Sequence, residues 1–156
     1  MSQATAPAAS GTDATPAHLQ RIAAWFEAMT PETLTDIGQC YAAQARFKDP
    51  FSEVLGHDAI RRVYAHMFET LVQPRFSVNQ IMGQNGQGFL VWEMHFQFER
   101  FHRGEEQCIR GVSHLKLNAE GLIVNHRDYW DAAEELYEKL PGLGVLMRWL
   151  KRRATT

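Results

Sequence analysis

Apolar residues in the first half of the chain recur mainly at the spacing of α-helices. One stripe covers residues 19–29 and predicts a first helix. Thr30-Pro31 is a favourable start for a second helix, which we expect to continue to about Gln44. Apolar positions in residues 59–71 follow the 3.6-residue period closely and predict a third helix that begins after Gly56-His57-Asp58.

Strict alternation of apolar and polar residues predicts a strand at residues 45–51 and four strands in the second half of the chain. Acidic residues on the outer face of the strand after Gly88 and basic residues on the next strand favour antiparallel pairing. Helices followed by a meander of long strands are typical of an α+β fold. A curved sheet wrapped around helices leaves a concave cavity, where small-molecule sites often lie.

Asp49 is the first candidate for chemistry. Ala45, Phe47 and Phe51 share its strand face, and Pro50 favours extended backbone at the preceding residue. An isolated carboxylate on an apolar face should have a raised pKa, which suits a general base. The alternative is that Asp49-Pro50 only begins a turn at a strand end, and the heptapeptide by itself favours that alternative.

Other polar residues on apolar strand faces are Ser113 and the pair His126 and Asp128, below Trp130. Residues two apart on a strand lie about 6.5–7 Å apart and point the same way, so His126 and Asp128 can both reach into one cavity. The alternative is that these two side chains only satisfy each other within a core.

Composition narrows the function classes. The 156 residues fit one domain, with 45% apolar and 22% charged residues, as in ordinary globular proteins. A net charge of -2 gives no reason to expect nucleic-acid binding. Cys40 and Cys108 are too few for a disulfide framework or a four-ligand metal site, and no His/Asp/Glu set has metal-ligand spacing. We therefore expect no metal, no cofactor and a cytoplasmic protein.

The two ends of the chain differ from its middle. Residues 1–16 are rich in Ala, Ser, Thr and Pro and are expected to form a disordered leader before a domain at residues 17–133. Residues 134–156 are expected to form a helical extension, in which Pro141-Gly142 precedes an apolar and basic segment. That segment could rest on a membrane surface, although packing of its apolar side on the domain or on a partner is favoured.

Three motifs appear in order along the chain: Tyr41 to Pro50 (YAAQARFKDP), Gly56 to Ile60 (GHDAI), and Glu120-Gly121 followed by Asp128-Tyr129-Trp130. With the helix and strand plan, they make the chain resemble the nuclear-transport-factor-2-like superfamily, specifically its SnoaL-like and ketosteroid-isomerase-like members. The resemblance covers roughly residues 19–133. It implies a cone: a strongly curved antiparallel sheet around N-terminal helices with a deep apolar pocket, here with an added C-terminal helix.

The resemblance also implies roles for individual residues. Asp49 matches the Asp before Pro that is the base of ketosteroid isomerases, while Trp25 and Ser113 stand where the Tyr and the second Asp of their oxyanion hole would be. Asp128 matches a carboxylate of the related limonene-epoxide hydrolases. The Arg-x-Asp pair of those enzymes falls near Met94 and Phe96, so epoxide hydrolysis is not implied.

The first hypothesis is therefore an isomerase or cyclase acting on a small apolar carbonyl compound that is steroid-, polyketide- or lipid-like. Its catalytic residues would be Asp49, His126 and Asp128, with His126, Ser113 or Trp25 donating to an oxyanion. A second is a non-catalytic ligand-binding protein, and a third is pairing through the outer sheet face, where charged residues would support a homodimer. The residues expected to contact the ligand are Trp25, Tyr64, Met94, Phe96, Phe98, Ser113 and Trp130.

Overall fold

The computed structural model describes residues 13–100 and 102–154. Six helical segments are found in this part of the chain: α1 (Thr15–Glu27), a 3-10 helix (Thr33–Gln39), α2 (His57–Thr70), α3 (Ala132–Glu135), a 3-10 turn (Tyr137–Lys139) and α4 (Leu143–Ala154). The strands are β1 (Tyr41–Lys48), β2 (Glu53–Leu55), β3 (Leu71–Gln84), β4 (Gln87–Phe98), β5 (Gln107–Leu117) and β6 (Ile123–Tyr129).

The six strands form one curved sheet in the order β2-β1-β6-β5-β4-β3. The predicted α+β cone is confirmed, with one difference: β1 and β6 pair in parallel, whereas all other neighbours are antiparallel. The predicted pairing of the acidic strand with the basic one is correct, since Glu93 of β4 lies opposite Arg110 of β5. The core lies between the inner sheet face and the helices, which bury Leu19, Ile22 and Ile60 completely.

The β3–β4 hairpin supports α1. Asn85 and Gly86 both have positive φ, at 52° and 74°, as a type I′ turn between two strands requires. Leu19 of α1 lies so close to Gly83 and Gly88 that a Cβ on either glycine would overlap its side chain. These two glycines therefore let the first helix pack directly on the hairpin.

The second helix is shorter than predicted. Residues 33–39 form a 3-10 helix, and the chain is already a strand at Tyr41, although helix was expected to about Gln44. Tyr41 pairs with Ile123 in the sheet, and the Ile123 N–H donates to the Cys40 carbonyl oxygen at 2.8 Å. Pairing with the distant β6 strand thus overrides the local helical spacing of apolar residues.

Two residues assigned to inward strand faces are more exposed than expected. Phe51 is 55% exposed because the Asp49 N–H donates to the Ser52 carbonyl oxygen at 2.9 Å, which turns the chain before Phe51. Val124 is exposed and Ile123 is buried instead, since the β5–β6 pairing shifts register between Lys116 and Leu117. A one-residue irregularity moves a side chain to the other face of the sheet.

The ends of the chain also differ in part from expectation. The first helix begins at Thr15, inside the segment predicted as a leader, and residues 1–12 of that segment lie outside the described residues. Asp131 caps α3 as its sequence context suggests, accepting from Ala133 N–H at 2.9 Å. None of the described helices is long and apolar enough to cross a membrane.

The apolar side of α4 is not covered by the rest of the described chain. Of the two packing partners that were expected for it, the domain itself is therefore not the one observed. Val145, Leu146, Trp149 and Leu150 each have between 44% and 62% of their surface exposed. Polar contacts join the helix to the preceding 3-10 turn: the Lys151 ammonium lies 3.1 Å from a Glu138 carboxylate oxygen, and the Arg148 guanidinium donates to the Glu138 carbonyl oxygen at 3.3 Å.

Candidate functional site

A cavity of about 710 Å³ lies between α2 and the inner face of the sheet. Its polar side chains are Asp49 and Asp128, with Ser52, Arg62, His66 and Thr70 also contributing. The remaining lining is aromatic and aliphatic: Phe47, Phe51, Val54, Ala59, Val63, Tyr64, Met67, Leu71, Phe76, Trp92, Met94, Phe96, Ile109, Trp130 and Leu136. The site is therefore a largely apolar chamber in which two carboxyl groups are placed.

The parallel pairing of β1 and β6 brings these two carboxyl groups to one side of the cavity. Phe47 lies beside His126 and Lys48 lies beside Arg127. The residue after Lys48 is Asp49, and the residue after Arg127 is Asp128. Because neighbouring strands lie about 4.8 Å apart, the residues that come directly after a paired position on each strand also lie close to one another. The two aspartates also line an outer surface depression, where Lys48 and Arg127 are found.

Asp49 both begins a turn and lines the cavity. Its Oδ1 accepts hydrogen bonds from Phe51 N–H at 2.7 Å and Ser52 N–H at 2.5 Å, as in an Asx turn. It also lines the cavity. Burial raises the pKa of the Asp49 carboxyl, opposed by these two amide hydrogen bonds, and the nearby Asp128 charge raises it further. The turn fixes the carboxyl group that faces the cavity.

A chain of buried hydrogen bonds links two residues of the cavity wall. The Tyr64 and Tyr41 hydroxyl oxygens are 2.9 Å apart, and the Tyr41 hydroxyl is 2.7 Å from His126 Nδ1. His126 Nε2 lies 2.7 Å from Asp128 Oδ1. Tyr41 is fully buried and His126 is 2% exposed, whereas Tyr64 and Asp128 both border the cavity. The chain therefore begins and ends at the same chamber.

Aromatic rings hold His126 in place. The Phe47 ring centroid is 4.8 Å from the imidazole and the Phe26 centroid is 5.7 Å away, both edge-on. The Tyr41 ring is nearly parallel to the imidazole at 5.9 Å. Aromatic rings thus surround the imidazole, and its hydrogen bonds are made by its two nitrogens.

Ser113 and Trp92 hold the Asp128 carboxylate from the other side. Ser113 lies opposite Asp128 in the β5–β6 pair and donates to its Oδ1 at 2.5 Å. The Trp92 Nε1–H donates to Ser113 Oγ at 2.8 Å. This is possible because Gly111, opposite Trp92, has no side chain, and the indole lies where a Cβ would be.

The donors in this network fix its direction. The indole N–H of Trp92 only donates, so Ser113 Oγ accepts from it, and because the Asp128 carboxylate only accepts, the Ser113 hydroxyl donates to Asp128. Asp128 as a carboxylate also accepts from His126 Nε2–H. A neutral His126 then accepts at Nδ1 from Tyr41, which accepts from Tyr64.

Protonation of His126 would reverse the tyrosine part of the chain. The imidazolium donates at both nitrogens, so Tyr41 would accept from Nδ1 and donate to Tyr64. The Tyr64 O–H would then have no acceptor within this chain of hydrogen bonds. Burial is the main cause that raises the pKa of both tyrosines far above its ordinary value, so both hydroxyl groups keep their protons.

The predicted site residues fall into three groups. Asp49, Tyr64, Met94, Phe96, Asp128 and Trp130 line the cavity. His126 and Ser113 lie beneath it, beside a void of about 20 Å³. Trp25 and Phe98 are not among the lining residues: Trp25 packs on Phe26 and Tyr41, and Phe98 packs on Phe96.

Tyr41 is the functional candidate that the sequence did not indicate. It was assigned to a helix, where its hydroxyl had no predicted partner. The available signal was its place on an inner face, since a buried tyrosine needs a hydrogen-bond partner for its hydroxyl. By contrast, the Trp25 Nε1–H, expected at an oxyanion site, finds no acceptor among the described residues.

Several solved structures share this fold. A protein of Catenulispora acidiphila with a ketosteroid isomerase-like fold, in complex with trimethylamine, is 15% identical, with a TM-score of 0.65 and coverage of 78% of this chain and 91% of that one. An LEH-like epoxide hydrolase of M. tuberculosis is 14% identical, with a TM-score of 0.66 and coverage of 94% and 100%. TerC, co-crystallised with polyporic acid, is 15% identical, with a TM-score of 0.63 and coverage of 76% and 92%.

A comparison with curated proteins finds no match. The family model of the SnoaL-like domain matches residues 22–126, which is more than half of the chain and includes β1 through most of β6. The match agrees with the curved sheet, the helices inside it and the apolar cavity between them. The chain belongs to the SnoaL-like domain family.

Proposed function

We propose that this protein binds a small, largely apolar carbonyl compound and moves a proton at the carbon next to the carbonyl group. Asp49 is the general base, and the Tyr64 hydroxyl donates to the oxygen on which negative charge develops. One observation carries the proposal: Asp49 and both ends of the Tyr64–Tyr41–His126–Asp128 chain border the same apolar cavity.

Asp49 suits the role of base for two reasons. Burial raises the pKa of its carboxyl, and a higher pKa makes a carboxylate a stronger proton acceptor. Two backbone N–H groups hold its Oδ1, so the carboxyl group does not need to be ordered when a substrate binds.

Tyr64 suits the role of donor better than the residues first expected to donate. His126 has hydrogen-bond partners at both nitrogens, and the Ser113 hydroxyl already donates to Asp128. Tyr64 lines the cavity, and the hydrogen-bond chain behind it ends at His126 and Asp128. Asp128 would stabilise the positive charge of His126 in the state that directs the Tyr64 proton into the cavity.

The lining supports an apolar, ring-containing ligand of steroid-, polyketide- or lipid-like character. Aromatic rings such as Phe76, Trp92 and Trp130 offer flat apolar surfaces to a chamber of about 710 Å³. Met94 and Phe96 also line it, where epoxide hydrolases of the related limonene type would need an Arg and an Asp. The fold neighbours bound to trimethylamine and polyporic acid support small-molecule binding in general.

Hydrogen–deuterium exchange at carbon tests the chemical step without knowledge of the natural substrate. A panel of cyclic ketones and enones, including a 3-oxo steroid, is incubated with protein in D₂O and followed by NMR. We expect exchange next to the carbonyl for at least one compound, a loss of about 100-fold or more in Asp49→Asn, and of about 10-fold or more in Tyr64→Phe. Asp58→Asn, on the exposed start of α2, is the matched control and should exchange at the wild-type rate.

The second candidate function is binding of the same ligand class without turnover. It is favoured by the apolar lining and by the two Asp128 partners, His126 and Ser113, neither of which has a free proton for a ligand. Native mass spectrometry of the purified protein would identify any small molecule that it retains. Retention of an apolar ligand by both wild type and Asp49→Asn, with no exchange in the whole panel, would replace the enzymatic proposal with this one.

A homodimer formed through the outer sheet face stays a separate proposal. Two of the charged residues on that face already lie close to each other within one protomer, since Arg110 Nε of β5 is 3.6 Å from a Glu93 carboxylate oxygen of β4. Sedimentation at micromolar concentration tests it, and monomeric behaviour would rule it out.

A further inference from the structure

The outer face of the sheet carries a group of metal-ligating side chains, on the side opposite to the apolar cavity. Glu93 and His95 are two apart on β4 and point the same way, and Cys108 of β5 lies directly opposite His95. One ligand atom from each residue lies within 4.8 Å of the other two. Carboxylate, imidazole and thiolate are the three ligand types that zinc proteins use.

We propose that Glu93, His95 and Cys108 bind one Zn²⁺ ion on the outer surface of the β4–β5 pair. The site is unrelated to the apolar cavity and does not depend on the proposed proton-transfer function. The sequence did not indicate it, because Cys108 lies 13 positions after His95 (108 − 95 = 13) and meets it only through strand pairing.

His95 lies between two carboxylates. Its Nε2 is at hydrogen-bond distance, 3.2 Å, from Glu93 Oε2, and its Nδ1 is 3.0 Å from a Glu106 carboxylate oxygen. In the tautomer with the proton on Nδ1, the Nε2 lone pair faces the Glu93 carboxylate, and a metal ion between the two groups stabilises that arrangement.

The separation of these two atoms matches shared coordination of a tetrahedral ion. Zinc lies about 2.0–2.2 Å from imidazole nitrogen and carboxylate oxygen, which places two such ligands about 3.3–3.6 Å apart in a tetrahedral site. The observed Nε2–Oε2 distance is 3.2 Å. A rotation of the Cys108 side chain would bring its Sγ from within 4.8 Å of these atoms to the shorter spacing that zinc requires.

The surrounding charges complete the arrangement. Glu106 holds the imidazole in the way that a carboxylate behind a metal-bound histidine commonly does, and it also pairs with Arg75. Arg110 lies near the other Glu93 oxygen, Oε1, at 3.6 Å and leaves Oε2 for the metal. Three protein ligands leave a fourth position for water, so the ion would fasten β4 to β5 as an open surface site.

Metal titration of the chelator-treated full-length protein tests the proposal. Isothermal titration with Zn²⁺ should give one equivalent bound, and Co²⁺ should produce the ultraviolet charge-transfer absorption of a metal–thiolate bond. Cys108→Ser should abolish that absorption, and His95→Gln should weaken Zn²⁺ binding by tenfold or more. The matched controls are Cys40→Ala, in the core, and His114→Gln, on the same face of β5, both of which should bind zinc like the wild type.

Glu106→Gln provides a milder variant at a partly exposed position, and about 10-fold weaker binding is expected from loss of the carboxylate behind His95. Circular dichroism of each variant shows whether the fold is retained. Absence of Zn²⁺ binding to the wild type, a thiolate absorption that persists in Cys108→Ser, or equal affinity in wild type and His95→Gln would each overturn the proposal.

Discussion

Replacement of Tyr41 by Phe removes a single oxygen from the middle of the buried hydrogen-bond chain. That oxygen is 2.7 Å from His126 Nδ1 and 2.9 Å from the Tyr64 hydroxyl, in a fully buried residue. Each lost hydrogen bond costs about 0.5–1.5 kcal/mol, and a buried imidazole nitrogen left without a partner costs about 1–3 kcal/mol. Because these contributions overlap, we expect Tyr41→Phe to lower the free energy of unfolding by about 2–4 kcal/mol.

Tyr64→Phe is the matched control, because it makes the same chemical change at the end of the chain. Tyr41 then still donates to His126, so only one hydrogen bond is lost and no nitrogen is left without a partner. We expect a loss of about 1 kcal/mol. The double variant should be less destabilised than the sum by about 0.5–1.5 kcal/mol, since both changes remove the same tyrosine–tyrosine bond.

Urea unfolding followed by circular dichroism gives both free energies from the midpoint and the slope. Thermal midpoints should fall by about 5–15 °C for Tyr41→Phe and by about 2–4 °C for Tyr64→Phe. Equal losses in the two single variants, or a double variant that is exactly additive, would refute the inference that Tyr41 connects Tyr64 to His126.

Three further predictions concern the site and its support. Gly111→Ala should destabilise the protein by about 1–3 kcal/mol and change the tryptophan fluorescence, because its Cβ would overlap the Trp92 indole, whereas Gly38→Ala should be close to neutral in the same urea assay. The pKa of the Asp49 carboxyl is raised in the folded state, so its contribution to stability is fully present below the unfolded value of 3.8 and is lost as pH rises through the folded pKa. Asp49→Asn should therefore gain stability relative to the wild type from pH 4 to pH 7. A difference in unfolding free energy between the two proteins that stays constant over this pH range in urea unfolding would contradict the prediction. Met94→Trp should fill part of the cavity and weaken binding of an apolar fluorescent probe by tenfold or more while circular dichroism stays unchanged, and undiminished probe binding would show that ligands occupy another surface.

Much of the fold could be predicted because its elements follow local patterns. The 3.6-residue period in α2 and the alternation in β4 and β5 each matched the observed buried face. Where prediction was wrong, a distant partner decided the outcome. Tyr41 became part of a strand because β6 pairs with it, and Val124 turned outward because the β5–β6 register shifts nearby.

The candidate site was only partly visible in the sequence. Asp49, Ser113, His126 and Asp128 could be selected because a polar residue on an apolar strand face is unusual, and the structure brings the last three into one hydrogen-bonded group. Tyr41 was not selected, because a tyrosine on an inner face is ordinary core composition and only the need of its hydroxyl for a hydrogen-bond partner could have indicated it. Its contact with His126 joins residues that are 85 positions apart.

The sequence by itself determined which side chains face inward along α2, β4 and β5, since the backbone geometry of helices and strands fixes that periodicity within a few residues. The tertiary structure decided which of those side chains meet. The parallel return of β6 beside β1 brings Asp128 next to the end of β1, which Asp49 follows, and β4–β5 pairing sets Cys108 opposite His95. Contacts of this kind depend on strand order and register, which arise from packing of the whole sheet and are not encoded within any single segment.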